Sequence, residues 1–342
     1  MQILSNVSLA KYSTMRLGGI ASNLVEISSR AELKEATAWA AENKLPIIVI
    51  GGGSNIFWRD EGFNGLVIVN KILGYEMTGI DEFGAYLVVG AGEIWDSVVA
   101  RSVEAGLTGI EALSLIPGTT GATPVQNVGA YGQEISQSLT SVEAYDLTTG
   151  QLTNLPTEAC QFSYRDSAFK HEYRGRYIIT GITLHLMKGG PQPPFYGSVQ
   201  SYLDEHNIQI ATARSIREAV IAIRSAKLPN VAEVANNGSF FANPIITTEQ
   251  LRGLKENFPE IVYWPLPEGG AKIPAAWLIE QVGFKDHHDA ETGMATWPRQ
   301  PLVFVNEGAK STANLLKFRQ KILDAIKAKF GLTLTQEPEL LP

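Results

Sequence analysis

Residues Leu45-Pro46-Ile47-Ile48-Val49-Ile50-Gly51-Gly52-Gly53-Ser54-Asn55 decide how the chain is read. A short β-branched run ending in three glycines and two small polar residues predicts a buried strand that opens into a tight loop. Without Cβ atoms, successive backbone N–H groups can converge, and such a loop cradles an anionic group, typically phosphate. The plain alternative is an ordinary strand-end turn. The residues downstream narrow the kind of cradle. A dinucleotide fingerprint needs a third glycine opening a helix, but Ile56 stands there. The next strand-like run, Leu66-Val67-Ile68-Val69, arrives soon, with Gly62 and Asn64-Gly65 in between. A parallel crossover usually runs through a helix, and this insert has no helical period, so a Rossmann unit is not expected. No Gly-Lys-Ser/Thr comes after the glycines, which excludes a Walker loop.

Composition sets the outer bounds. A chain of 342 residues allows two or three domains with ample core. Hydrophobic content of 44% and charged content of 18% describe an ordinary soluble globular protein. A net charge of −7 without a long basic run argues against non-specific nucleic-acid binding. Neither a signal peptide nor an apolar stretch long enough to span a membrane is expected. One cysteine, Cys160, excludes an internal disulfide and a Cys-rich metal site, and reads as a small core residue. A cytoplasmic location is therefore expected.

Along the chain, Ser29-Arg30-Ala31-Glu32 predicts a capping box for a helix with Leu33, Ala36 and Ala40 on one face. Arg16, within Met15-Arg16-Leu17-Gly18-Gly19, is either a cation beside the phosphate loop or a solvated arginine. Ile94 to Glu104 reads as a helix with Trp95, Val98, Val99 and Val103 inward. Then comes Ile116-Pro117-Gly118-Thr119-Thr120-Gly121-Ala122-Thr123-Pro124-Val125-Gln126-Asn127-Val128-Gly129-Ala130-Tyr131-Gly132. It has neither strand nor helix period, and a loop of that length is more often functional than idle. Its small residues would let backbone groups lie against a flat, polar ring system.

Strands are predicted at Ser141 to Leu147 and Tyr177 to Leu186. Between them Phe162-Ser163-Tyr164-Arg165-Asp166-Ser167 interleaves aromatics and charges, suggesting half-buried ionic groups or a surface Arg165–Asp166 pair. The Pro-rich Gly189 to Pro194 marks a linker or lid base, ahead of Phe195-Tyr196. Ser215-Ile216-Arg217-Glu218 predicts another capping box, and the helix it opens stops before Lys227-Leu228-Pro229. Further helices are predicted at Thr248 to Phe258, Pro274 to Val282 and Ser311 to Phe330. His287-His288-Asp289 with Glu291 reads as a solvated loop, since adjacent histidines converge poorly on one ion; no metal site is expected. The chain closes on a strand-like Leu332-Thr333-Leu334-Thr335 and Glu337-Pro338-Glu339.

Taken together, these stretches resemble the UDP-N-acetylenolpyruvoylglucosamine reductase (UDP-N-acetylmuramate dehydrogenase) family of bacterial cell-wall synthesis. The resemblance runs nearly end to end. It is carried by Gly51 to Asn55, Ile116-Pro117-Gly118 through Gln126 to Gly132, Tyr164 to Ser167, Lys227-Leu228-Pro229, Gly238-Ser239-Phe240-Phe241 with Asn243-Pro244, and Glu337-Pro338-Glu339. Any one of these is weak; all six in this order form a strong signal.

The resemblance implies an α+β fold with a two-subdomain FAD-binding body of the vanillyl-alcohol-oxidase type and a third, substrate-binding domain. The expected division is 1–70 and 71–213 for the FAD subdomains, the second joined by the C-terminal strand 331–342, and 214–330 for substrate. FAD would be held non-covalently. Gly51, Gly52, Gly53, Ser54 and Asn55 would take its pyrophosphate. Pro117, Gly118, Thr119, Gly121 and Ala122, then Gln126, Asn127, Gly129, Ala130 and Tyr131, would border its ring system. NADPH is implied as the reductant and a UDP-sugar enolpyruvyl ether as substrate, without nucleic acid or membrane, in a monomer.

By the same resemblance, Arg165 stabilises the enolate-like charge, Glu339 stands beside it in protonated form, and Ser239 protonates the second carbon. These three are expected to gather over one face of the flavin. Tyr196, Lys227 and Asn243 match positions that bind substrate or the nicotinamide cofactor, and Tyr196 suggests the family's longer subtype. Trp264 stands where a loop tyrosine is expected, with Tyr263 adjacent, and no stabilising tail is expected beyond the final strand. Two other readings keep part of this picture. A flavin oxidase using oxygen would leave Ser239 and Glu339 unexplained, and no motif for a covalent flavin tether is present. A flavin- or nucleotide-binding sensor would leave Arg165, Ser239 and Glu339 without a joint purpose.

Overall fold

In the computed structural model, which describes residues 1–342, the strand before the glycine loop forms one edge of a four-stranded sheet. Its members are β1 (Leu4–Ser8) and β2 (Ile20–Ile27), then, after helix α1 (Arg30–Glu42), β3 (Ile47–Ile50) and, past β4 (Ile56–Trp58), β5 (Phe63–Asn70). The order is β1-β2-β5-β3. Leu33, Ala36 and Ala40 of α1 are buried against Val25, Ile27, Leu66 and Ile68, as the helical spacing predicts. The cap is only half the expected box. Ser29 accepts the Glu32 amide, but Glu32 turns back to the amide and hydroxyl of Ser28.

The stretch after the glycines carries a parallel crossover without a helix. β3 and β5 pair in parallel, Ile47 to Leu66 through Ile50 to Val69. The intervening chain crosses over through the glycine loop and β4 instead of a helix, which a search for helical period cannot detect.

A second sheet is antiparallel. It comprises β6 (Tyr75–Thr78), β7 (Gly84–Gly90) and, after helix α2 (Trp95–Glu104), β8 (Leu139–Asp146), β9 (Gln151–Pro156) and β10 (Tyr177–Lys188), in the order β9-β8-β10-β7-β6. Leu107-Thr108 adds along β10. Trp95, Val98, Val99 and Val103 of α2 enter this sheet's core. Cys160 lies there too, and burial pushes its thiol up to about 11.

Two helices come next. The stretch after the Pro-rich segment is α3 (Gly197–Glu205), which the sequence reading missed because it buries only Val199 and Leu203. Helix α4 (Ala213–Lys227) begins before the predicted box. Thr212 and Ser215 cap each other reciprocally through side chain and amide, so Ser215 is the inner partner of the box and not its start.

The chain divides into two compact units. The first holds residues 1–7, 21–52 and 63–226, and so includes both sheets and most of α4; the sequence division begins its third part at 214. The second holds residues 8–20, 53–62 and 227–342. It contains β11 (Asn236–Ser239), α5 (Thr248–Asn257), α6 (Ala275–Gln281), β12 (Met294–Trp297), β13 (Gln300–Asn306), α7 (Thr312–Phe330) and β14 (Glu339–Leu341). Its core stacks Phe240 on Phe304 at 4.4 Å between ring centroids, with Phe241 and Phe318 edge-on to Phe304.

The C-terminal expectation needs two corrections. Leu332 and Leu334 are buried as their alternation predicts, but residues 332–335 lie outside any strand. The terminal strand is β14, and it pairs in parallel with β4, Glu339 to Ile56 through Leu341 to Trp58. It therefore joins the 1–70 segment rather than 71–213, because β4 offers the backbone edge it completes.

Candidate active site

In the first unit the two glycine-rich loops lie against each other. A Cβ on Gly52 would stand 3.0 Å from the Gly118 Cα, and one on Gly51 would stand 2.1 Å from the Thr119 hydroxyl. That approach needs residues without side chains. The second loop is pinned along the turn between β7 and α2. Trp95 N donates to Gly118 O at 3.1 Å, Thr120 N to Glu93 O at 2.9 Å and Gly121 N to Ala91 O at 2.9 Å. At its entrance Asp96 accepts the Leu115 amide at 2.6 Å and both terminal nitrogens of Arg217, at 2.6 and 3.0 Å. Burial alone would raise the Asp96 carboxyl, but the Arg217 guanidinium and the Leu115 amide outweigh it and hold it below the usual carboxylate range.

Arg165 sits at the far end of the same loop. Its Nη2 donates to Gly129 O at 2.7 Å, its backbone is left-handed at φ 59°, and Lys170 Nζ holds its carbonyl at 2.7 Å. Ser167 Oγ donates to Val125 O at 2.6 Å, so the Tyr164-Arg165-Asp166-Ser167 motif and the long loop brace one another. Asn127 is buried and donates to Glu134 and to Ser163 O, so its side chain works within the loop. Ala130 pairs with Gln133 in a short hairpin. Tyr131 meets Tyr196 edge-on at 5.6 Å. Burial pushes the Tyr131 phenol up and the Arg224 guanidinium down.

The second unit carries Gly53, Ser54 and Asn55 together with Ser239 and Glu339. Four successive carbonyls are held by donors of the chain. Thr14 N reaches Gly53 O at 3.0 Å, Asn237 Nδ2 reaches Ser54 O and Ile56 O at 3.3 and 3.0 Å, and Glu339 N reaches Asn55 O at 2.9 Å. The amides of Gly52 and Gly53 donate to no carbonyl of the chain. A loop with its carbonyls tied back and these two amides turned to no carbonyl fits an anion such as a pyrophosphate. Gly53 is required here: its φ is +68°, and a Cβ would stand 2.3 Å from Tyr12 O.

Asn237, whose side-chain amide holds two of these carbonyls, is a residue the sequence reading missed. It is 5% exposed, and its Oδ1 is buried without a partner. Before Gly238 it reads as turn chemistry, and only the fold reveals what its amide holds. Between Asn236 and Ser239 the pairing with β13 slips register, and a bulge of this kind re-aims the side chain that comes after it.

The remaining predicted residues divide. Lys227 is the last residue of α4. Asn243 Oδ1 accepts the Ala275 amide at 2.9 Å and so caps α6. Trp264 is exposed with Lys272 Nζ 5.5 Å above its ring, and Lys255 donates to the Tyr263 hydroxyl. Arg16 donates to the carbonyls of Val231 and Ala232, which gives it a structural tie. His288 lies against Glu307 at 2.9 Å, while Lys321 holds Asp289 and Glu291. No helix is long and apolar enough to cross a membrane.

A family profile described as FAD binding domain matches residues 21–155, and one described as UDP-N-acetylenolpyruvoylglucosamine reductase, C-terminal domain, matches 230–341. The chain is 42% identical to the UDP-N-acetylenolpyruvoylglucosamine reductase of Amoebophilus asiaticus over 99% of both chains. It is 41% identical to that of Cupriavidus pinatubonensis over 92% of both. Among solved structures, the Thermus caldophilus UDP-N-acetylenolpyruvylglucosamine reductase superposes with a TM-score of 0.70 at 23% identity, covering 100% of both chains. The 6-hydroxy-D-nicotine oxidase of Arthrobacter nicotinovorans shares the fold at TM-score 0.52 and 13% identity, over 98% of this chain and 86% of its own. The fold is α+β with an FAD-binding body of the vanillyl-alcohol-oxidase type, and FAD is the cofactor. With its flavin-binding and C-terminal domains both matched and relatives aligned from end to end, the chain belongs to the UDP-N-acetylenolpyruvoylglucosamine reductase family.

Proposed function

We propose that the chain reduces the enolpyruvyl group of UDP-N-acetylglucosamine enolpyruvate to UDP-N-acetylmuramate with NADPH, for peptidoglycan precursor synthesis, and that Arg165, Ser239 and Glu339 carry the chemistry on the substrate. When bound, FAD supplies a two-electron relay between NADPH and the terminal alkene carbon. Reduction there leaves negative charge beside the substrate carboxylate, and that charge is costly unless fixed donors receive it. Arg165 is such a donor, its guanidinium braced by Gly129 O. Glu339 hydrogen-bonds the same enolate, and Ser239 Oγ delivers the proton to the second carbon. Gly51 to Asn55 hold the cofactor pyrophosphate, and Pro117 to Tyr131 border its rings. Tyr196, Lys227 and Asn243 contribute to binding of substrate or NADPH; the Asn243 backbone is fixed by its cap on α6.

The observation that carries this reading is the pairing of β14 with β4. It seats Glu339 beside Asn55 of the glycine loop in the unit that also holds Ser239. We propose that the chain acts as a monomer. We place it in the cytoplasm, where UDP-sugars and NADPH are found, acting without nucleic acid or membrane. Purified protein should be yellow, bleach with NADPH under anaerobic conditions, and recolour when the enolpyruvyl sugar nucleotide is added. Recolouring by oxygen alone would overturn the reading in favour of an oxidase.

A further inference from the structure

Helix α7 directs one arginine into the C-terminal tail. Arg319 Nη1 donates to Gln336 Oε1 at 2.8 Å, and Gln336 Nε2 donates onward to Pro338 O at 2.7 Å. The Arg319 Nε is buried without a partner, and burial pulls the guanidinium below its usual value. Desolvating a guanidinium is unfavourable, and an apolar side chain would fill the same space without that cost. A charged donor in return gives a hydrogen bond stronger than a neutral one.

The place where it acts is telling. Up to Glu337 the tail is held by its main chain: Ala242 N donates to Thr335 O, Gln336 bridges to Phe241, and Glu337 N donates to Phe240 O, both amide bonds at 2.9 Å. From Glu339 onward it is held by pairing with β4. The bend between, at Pro338, has no N–H to offer, and its carbonyl is the one that Gln336 takes.

We propose that Arg319 is a positioning residue, which through Gln336 fixes the bend at Pro338 and thereby the placement of the Glu339 side chain. This rests on the reading of Glu339 as a group that acts on substrate. The main-chain bonds before the bend and the pairing of β14 after it fix where the tail runs, whereas the bend sets the angle at which Glu339 leaves it. Misplacing an acting group by about 1 Å can cost on the order of 100-fold in rate.

The test uses Arg319→Met and Gln336→Leu beside Glu339→Gln. In flavin-free protein, Arg319→Met should speed amide hydrogen exchange in the 336–341 segment by about tenfold or more. In the FAD-loaded enzyme it should leave flavin reduction by NADPH within about twofold and slow reoxidation by the enolpyruvyl substrate about 10- to 100-fold. Combined with Glu339→Gln it should add little further, since both changes act through one group. Should Arg319→Met not fold, Gln336→Leu carries the same expectations. If Glu339→Gln slows reoxidation while the Arg319 and Gln336 variants do not, or if they slow both half-reactions alike, the positioning role is overturned and the reading of Glu339 stands. If Glu339→Gln leaves reoxidation unchanged, the reading of Glu339 fails first and the positioning role falls with it.

Discussion

The amide of Glu339 donates to the carbonyl of Asn55 at 2.9 Å, so a main-chain bond fastens the last strand to the glycine loop. That fastening is indifferent to the side chain at 339. Glu339→Ala should therefore keep the fold, with a change in stability of about 1 kcal/mol or less. Reoxidation of reduced enzyme by the enolpyruvyl substrate should nonetheless slow. Thermal denaturation and stopped-flow absorbance separate the two; a large loss of stability with parallel loss of both half-reactions would contradict the functional role.

Ser239→Ala should leave flavin reduction by NADPH within about twofold and slow reoxidation by substrate about 10²- to 10⁴-fold, the usual contribution of a positioned proton donor. The two half-reactions are read separately under anaerobic conditions. Equal losses in both would remove Ser239 from the proton-transfer step.

Gly53→Ala tests the anion cradle. At φ +68° an alanine is strained by about 1–3 kcal/mol, and its Cβ would stand 2.3 Å from Tyr12 O. FAD affinity, followed by quenching of flavin fluorescence, should fall about tenfold or more. An unchanged affinity would mean that this loop does not hold the cofactor.

The Asp96–Arg217 pair predicts an acid-side effect. Asp96 is held below its ordinary value of 3.8, since Arg217 and the Leu115 amide outweigh desolvation. A carboxyl depressed in the folded state stabilises fully above its unfolded pKa and loses that contribution as pH falls through the folded value. Asp96→Asn should cost about 2 kcal/mol at pH 7, in the range for hydrogen bonds to charged groups, and the difference should shrink below about pH 4. Urea denaturation across that range gives the profile, and a pH-independent difference would exclude the charge as its source.

Much of this was legible from periodicity and composition. The inward faces of α1 and α2 could be read from helical spacing, and the two loops from their density of small residues. That Gly52 lies against Gly118 was not legible, because no local pattern states which loops meet. The parallel pairing of β3 with β5 was hidden by a crossover without a helix. Helix α3 escaped because it buries only Val199 and Leu203, too few for a period to emerge. Leu332 and Leu334 alternate as a strand would, yet alternation reports which side is buried and not whether a ladder forms. Asn237 was masked by its neighbour: before a glycine, an asparagine already has a sufficient local reason to be there.

The unit that holds Ser239 is composed of residues 8–20, 53–62 and 227–342, and β14 closes on β4 across nearly the whole chain. During synthesis, then, its two earliest pieces leave the ribosome long before their partners exist. The other unit can consolidate meanwhile, since its last residue is 226. Nascent protein should thus pass through a stage in which one half is folded while Ile56–Trp58 wait with an open edge, and that interval is where a holding chaperone would find its grip.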